Sequence, residues 1–214
     1  MIFTIKSANT NCFLLQDEVT GNVVLIDAGF AADKNFINRL KATKLINRIG
    51  LLILTHGHYD HVGNAAILQE QYGIKIAIHQ QDAEDVKQVK MDFPSANGFL
   101  GNIIRGIAIR GIDKARYNEF TPDIIITDEE YLLDFNSFRI VHLPGHTNGS
   151  IGVLFNDCLF AGDLVMNMPL PSPSMFADDF CLLQSSIKKA KTLKVKTIYP
   201  SHGNPFSAGW LKRF

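Results

Sequence analysis

The chain has 214 residues, 46% hydrophobic and 20% charged, enough for one substantial core, and the whole span 1–214 reads as one domain. Lys plus Arg balances Asp plus Glu at 21 each, so no global field attracts nucleic acid or an anionic membrane, and a polyanionic partner is disfavoured. The opening MIFTIKSANT lacks a basic start and a long apolar core, and no later run approaches the ~20 apolar residues of a membrane span, so a cytoplasmic location is expected.

In chain order, Ile2–Ile5, Cys12–Gln16 and Val23–Asp27 are predicted strands, separated by the turn signals Asn-Thr-Asn and Thr-Gly-Asn. A helix is predicted over Asp33–Leu45. Leu51–Leu54 has the composition of a buried strand and runs directly into the polar segment THGHYDH. Asn64–Gln71 is helical in pattern, Ile74–Ile78 a strand and Gln80–Lys90 helical. Residues 91–120 are too many for a simple connector. They mix Phe93, Phe99, Leu100, Ile103, Ile104 and Ile107 with Arg105, Arg110, Lys114 and Arg116, which reads as a helical insertion, either a lid or a structural addition. Beyond it, Ile124–Thr127, Tyr131–Leu133, Arg139–Leu143, Ser150–Leu154 and Leu159–Ala161 form a strand series. Asp178 or Asp179 can cap a helix to Leu193 with Leu183, Ile187 and Ala190 on one face, and Thr197–Tyr199 is the last strand. The alternation makes the fold class α/β. Cys12, Cys158 and Cys181 are an odd, scattered set, which argues against a disulfide framework and for small buried side chains.

His56, His58, Asp60 and His61 occupy one six-residue window. Three imidazoles and a carboxylate this close offer nitrogen and oxygen donors at the separations a divalent cation requires. Further donors stand where strands hand over to loops. His146 lies in the turn of FRIVHLPGHTNGSIGVLF, Asp163 follows CLFAG, and His202 follows TIYPS. Loops at strand ends are where a layered α/β fold carries chemistry. His142, on a strand leading to His146, reads as a packed strand histidine. Other signatures fail on residues. Gly101 and Gly106 have P-loop spacing, but Ile107 stands where the phosphate-binding lysine belongs, and there is no G-x-S-x-G elbow.

HxHxDH, then GHT-x-G-S, then G-D, then a late G-H ahead of Pro resembles the metallo-β-lactamase superfamily, most closely its glyoxalase II and lactonase branches; VLIDAG matches as well. The resemblance runs from Ile2 to Phe206, with Asn148 where the family commonly has Pro and Ser201 where it often has Gly. It implies a four-layer αββα sandwich. It also implies two divalent metal ions, zinc by default with iron or manganese also suited. One ion would sit on His56, His58 and His146 and the other on Asp60, His61 and His202, with Asp163 bridging and Asp27 orienting a ligand imidazole from behind. Asp60 and Asp163 would then serve catalysis by placing a metal-bound hydroxide for attack on a small-molecule thioester, ester or lactone. Alternatives on the same scaffold are a mononuclear iron enzyme like the persulfide dioxygenases, a phosphodiesterase or nuclease, and a binding protein without turnover. Glutathione-specific members carry an added C-terminal helical region, so a dedicated glutathione thioesterase is not expected. Residues 91–120 and Val165–Phe176 favour a substrate with an apolar acyl part, with no nucleic-acid or membrane partner. The oligomeric state is open.

Overall fold

Buried apolar runs produce two six-stranded sheets, one in each of two compact units: Met1–Met91 with Ile112–Ile126, and Asp92–Gly111 with Thr127–Phe214. The computed structural model describes residues 1–110, 112–127, 129–132 and 138–214.

The first unit opens with β1 (Ile2–Ser7), β2 (Thr10–Gln16) and β3 (Val23–Ile26), an antiparallel series. Helix α1 (Phe36–Ala42) leads to β4 (Ile49–Ile53), short α2 (Tyr59–Val62), α3 (Ala65–Tyr72), β5 (Lys75–His79) and α4 (Gln80–Lys87). The chain then supplies β6 (Ser95–Ala96) and α5 (Gly98–Ile109) to the second unit and returns to the first for a 3₁₀ turn, Ile112–Ala115, and β7 (Ile124–Ile126). The sheet order is β1-β2-β3-β4-β5-β7, and every pairing from β3 onward is parallel. Its core joins Leu14, Leu25, Leu52 and Ile76 to Phe36, Leu40, Val62 and Leu68 from the helices.

In the second unit, β8 (Glu130–Leu132), β9 (Phe138–His142), β10 (Ile151–Phe155) and β11 (Cys158–Gly162) form an antiparallel meander. Short pieces follow: β12 (Val165–Asn167), β13 (Pro171–Pro173) and β14 (Phe176–Ala177), the last pairing with β6. Helix α6 (Phe180–Thr192) precedes β15 (Thr197–Pro200), which runs parallel beside β11, and β16 (Phe206–Ser207) ends the sheet. Leu183, Ile187 and Ala190 of α6 pack with Val141, Leu159 and Ile198, the face that the sequence pattern selects.

Several expectations change in detail. The helix expected over Asp33–Leu45 forms only over Phe36–Ala42, because Asp33 turns back to hold Ser7 and Arg39 through its carboxylate. The helix from Gln80 ends at Lys87, ahead of the left-handed Val89. Leu133 lies outside the described residues. Cys12 and Cys158 are buried as expected, but Cys181 is exposed on the first turn of α6. Among the described residues, no helix is long and apolar enough to cross a membrane.

Asp179 caps α6, its Oδ1 accepting from the backbone N–H groups of Cys181 at 2.7 Å and Leu182 at 2.9 Å. Two of the helix's orphan donors depend on that one oxygen. Asp179→Ala is expected to cost about 1 kcal/mol in thermal or denaturant unfolding, with Asp179→Asn recovering most of the loss.

Candidate metal centre

Parallel pairing builds the first half of the site. In register, Ile26 of β3 lies beside Ile53 of β4, so the loops leaving both strands emerge together. The β3 loop begins with Asp27, fully buried and left-handed at φ 61, a conformation Asp tolerates better than most residues. The β4 loop begins with Thr55 and His56. Asp27 Oδ1 accepts from the Thr55 backbone N–H at 2.8 Å, and the Thr55 hydroxyl donates to both Asp27 oxygens, at 3.0 and 2.9 Å.

Those bonds set the imidazoles. Because the Thr55 hydroxyl spends its proton on Asp27, Thr55 Oγ1 must accept from His56 Nδ1, 3.1 Å away. His61 Nδ1 donates to Asp27 Oδ2 at 2.8 Å. In both rings the proton therefore sits on Nδ1, leaving the Nε2 lone pair for a cation. The ligand atoms of His56 lie within 4.8 Å of those of His58 and of His61, as do those of Asp60 and His61. His58 ends the loop and begins α2, which turns Asp60 and His61 back toward His56; the His56 and His61 ring centroids are 3.9 Å apart. Thr10 Oγ1 donates to Asp60 Oδ2 at 2.9 Å.

The second unit repeats the device. Parallel β11 and β15 end side by side, Gly162 opposite Pro200, so Asp163 and His202 leave neighbouring strand ends. His146 sits in the β9–β10 loop, and antiparallel pairing places the start of β10 beside the end of β11. His146 Nδ1 donates to the Phe176 carbonyl at 2.8 Å, again leaving Nε2 as the lone pair. Asp163 Oδ2 lies 3.5 Å from His146 Nε2 and 3.2 Å from His202 Nε2.

This geometry answers whether the residues fit a metal. A carbonyl can only accept, so His146 presents an unprotonated Nε2 to an anionic oxygen when the ring is neutral. His61 does the same, its Nε2 standing 3.6 Å from Asp60 Oδ2. Lone pair against carboxylate at such range calls for a cation between them, and imidazole with carboxylate is a donor set that zinc, iron and manganese accept. The first unit thus brings together His56, His58, Asp60, His61 and Asp27, and the second brings together His146, Asp163 and His202.

The His146 loop is fixed from several sides. Gly145 has φ 132, and an added Cβ would stand 2.2 Å from the Leu183 backbone nitrogen, so only glycine passes here. Thr147 N–H donates to Ser150 Oγ, Ser186 Oγ to the Pro144 carbonyl, and His142 Nε2 to the Asn148 carbonyl at 2.8 Å. Asn148 stands where Pro is common, and its carbonyl is pinned by that bond. His142 is thus more than a packed strand histidine, since it ties β9 to the loop bearing His146. Ser201 is buried and its N–H donates to the Gly162 carbonyl.

Sequence reading did not find Thr55, Thr10, Asp82 or Phe176 as parts of the site. Thr55 had a signal, since it directly precedes the motif and a hydroxyl there can relay between two loops. Asp82 had none. It takes the Gly57 N–H at 2.8 Å from 25 residues away, and only β4–β5 pairing followed by α4 brings it there. Cys12, near Asp27, is a buried thiol whose pKa is pushed well up, first by burial and then by the Asp27 charge, so it stays neutral.

Comparison with known proteins agrees with this arrangement. The sequence profile described as the metallo-beta-lactamase superfamily matches residues 7–202. The hydroxyacylglutathione hydrolase GloC of Haemophilus influenzae is 30% identical over 220 residues, covering 99% of this chain and 94% of that protein. Among solved structures, the BLEG-1 B3 metallo-beta-lactamase matches with a TM-score of 0.75 at 22% identity, over 100% of this chain and 97% of that one. TTHA1623 in a di-iron-bound form gives 0.70 at 23% identity, over 100% and 97%. These two likenesses establish the fold, and with it the expected class.

Asp27→Asn keeps the size of the side chain but places an NH₂ where His61 Nδ1–H or the Thr55 hydroxyl needs an acceptor. Loss of such a supporting bond typically costs 10–100-fold in metal affinity. Competition with a chromogenic chelator should show a loss of about that size with the far-UV spectrum unchanged.

Proposed function

The chain belongs to the metallo-β-lactamase superfamily, and from that premise we propose that it is a dinuclear metal-dependent hydrolase acting on a small-molecule thioester, ester or lactone. The observation that carries this reading is the Asp163 carboxylate, one of whose oxygens faces the imidazoles of both His146 and His202. A carboxylate so placed suits a shared ligand. In the proposed site His56, His58 and His146 would hold one divalent cation and Asp60, His61 and His202 the other, with the Asp163 carboxylate available to both. Bound cations of this kind act as Lewis acids toward a carbonyl oxygen and bring the pKa of a coordinated water from about 15.7 to about 7.

The protein's own groups do the rest. Asp60 and Asp163 offset part of the cationic charge. Thr10, donating to one Asp60 oxygen, holds that carboxylate in a single orientation. Asp27 and Thr55 keep His56 and His61 in the tautomer that ligates through Nε2.

Leaving-group chemistry narrows the substrate. Of the seven histidines, five belong to the proposed ligand set. The remaining two are engaged within their own units. His79 Nδ1 accepts from the Gln81 N–H, and His142 is bound to Asn148 and Glu129. No histidine is left to protonate a departing group. A thiolate, from a thiol of pKa near 8.5, leaves without that help far more readily than an amine, which favours a thioester. The relative GloC is named a hydroxyacylglutathione hydrolase, and this chain covers 94% of its length. Length is therefore no argument against a glutathione thioester, contrary to the sequence expectation.

An apolar acyl part is supported by exposed side chains in the second unit: Phe99 and Ile107 of α5 at 85% and 65%, and Leu170 at 65%. On this reading residues 91–120 cover the substrate. Zinc is the default metal, and iron also suits imidazole and carboxylate donors; the structural neighbour TTHA1623 is described in a di-iron-bound form.

Elemental analysis of metal-reconstituted protein should approach two divalent ions per chain. A ceiling of one, unaffected by Asp60→Ala, would favour the mononuclear iron reading instead. Asp163→Ala should lower kcat on a thioester by on the order of 10² or more and weaken metal retention. Near-normal turnover with both metals bound in that variant would exclude the dinuclear mechanism.

A further inference from the structure

The first unit contains a cleft of about 480 Å³ lined by Lys6, Ala8, Phe30, Ala32, Asp33 and Arg39. Its charged groups are unevenly matched. Asp33 Oδ2 accepts from Ser7 Oγ at 2.9 Å and from Arg39 Nη2, so that carboxylate is satisfied from two sides. Arg39 is bound to Asp33 through Nη2 alone, and its side chain is 38% exposed although its Nε is buried, so part of the guanidinium still faces solvent. Lys6 is exposed, with no ion-pair partner among the described residues. Two cations against one carboxylate leave the cleft with one net positive charge, beside an apolar wall of Ala8, Phe30 and Ala32.

Direct contacts link the cleft wall to the ligand motif of the same unit. Ser7, whose hydroxyl holds Asp33, also accepts the Phe30 backbone N–H at 3.0 Å. The Phe30 ring packs edge-on against Tyr59, centroids 5.9 Å apart, and Tyr59 directly precedes Asp60. The β1–β2 hairpin that carries Lys6 and the left-handed Ala8 also carries Thr10, which holds Asp60. A molecule lying in the cleft therefore rests on the same two segments that orient a proposed catalytic carboxylate.

We propose that this cleft recognises a carboxylate on the substrate through the Lys6 ammonium and the Arg39 guanidinium. The proposal rests on the hydrolase reading and deepens it: the substrate is a thioester or ester with a carboxylate on one arm, and the methylenes before that carboxylate lie on Phe30 and Ala32. One net positive charge suits a monoanionic carboxylate better than a dianionic phosphate. Arg39 adds the charge and the exposed part of its guanidinium, whereas Lys6 supplies a mobile point charge.

The test uses metal-loaded protein and two thioesters identical except for a terminal carboxylate in one and a primary amide in the other. The unmodified protein is expected to prefer the acid in kcat/KM. Lys6→Glu should lower that acid-to-amide ratio about tenfold or more, the scale of one solvent-screened charge contact made and then reversed. Lys6→Arg should keep it. A ratio unchanged by Lys6→Glu overturns the proposal. If neither thioester is hydrolysed, the hydrolase reading is what fails, and calorimetric titration with sulfur-free analogues of the acid and the amide decides the cleft separately. Tighter binding of the acid, lost in Lys6→Glu, upholds it, and equal binding of both overturns it.

Discussion

The buried carboxylate of Asp27 is the constraint on which the first half of the site depends. An ionised carboxylate without solvent costs several kcal/mol unless donors surround it. Here the donors are the Thr55 N–H, the Thr55 hydroxyl and the His61 Nδ1–H. Each serves the site as well as the anion. The hydroxyl, once committed to Asp27, can only accept from His56, and the imidazoles are left with their lone pairs on the outward nitrogen. One charge at the end of β3 thus fixes the protonation pattern of two rings at the end of β4. The left-handed backbone at Asp27 is tolerated because three bonds over-determine it.

This arrangement is available only because β3 and β4 are parallel. Antiparallel neighbours place the end of one strand beside the beginning of the next, whereas parallel neighbours end together and project their loops on one side. The second unit uses the same rule at β11 and β15, where Asp163 and His202 follow strand ends that lie opposite each other. The first sheet is antiparallel only over β1–β3, and the second is antiparallel apart from β11 beside β15. The parallel pairs are therefore the part of the topology that gathers donors distant in sequence. Close packing then holds the loops in place. Gly63, which follows α2, is a case in point: an added Cβ would stand 2.2 Å from the Ala31 nitrogen and 2.5 Å from the Gly29 carbonyl, so the β3 loop and the ligand-bearing turn are in backbone contact.

Much of this was legible in the sequence. HxHxDH after a buried apolar run announced a ligand loop, and the buried face of α6 followed from the spacing of Leu183, Ile187 and Ala190. Asp179 as a cap was one of two candidates read from chemistry alone. What stayed hidden depends on pairing between distant segments. Asp82 beneath Gly57 requires the register of β4 and β5, and His142 on the Asn148 carbonyl requires the path of the eight-residue β9–β10 loop. The shortened α1 is a different failure. Local helical pattern extended through Asp33, but a tertiary bond from Ser7 and an ion pair from Arg39 claim that side chain and turn the chain before the helix begins. Val165–Phe176, which the sequence marks only as apolar substrate surface, carries β12, β13 and the start of β14, strands of two or three residues that are too brief to leave a period.

Charge distribution links the fold to the chemistry proposed for it. The chain as a whole is neutral, with 21 basic and 21 acidic residues, so any field at the site is local. On the proposed ligand set, two divalent cations carry four positive charges, and Asp60 and Asp163 return two. Asp27 lies one residue behind and is already shared among three donors, so its screening of the ions is partial. The site would retain a positive excess in a chain that is neutral overall, and the cleft lined by Lys6 and Arg39 adds one more. Such an excess stabilises negative charge developing on a carbonyl oxygen, and it also draws in an anionic substrate at short range. An uncharged ester would gain only the first of these effects. A carboxylate-bearing thioester would gain both, and its chemistry would need no proton donor that the histidines cannot spare.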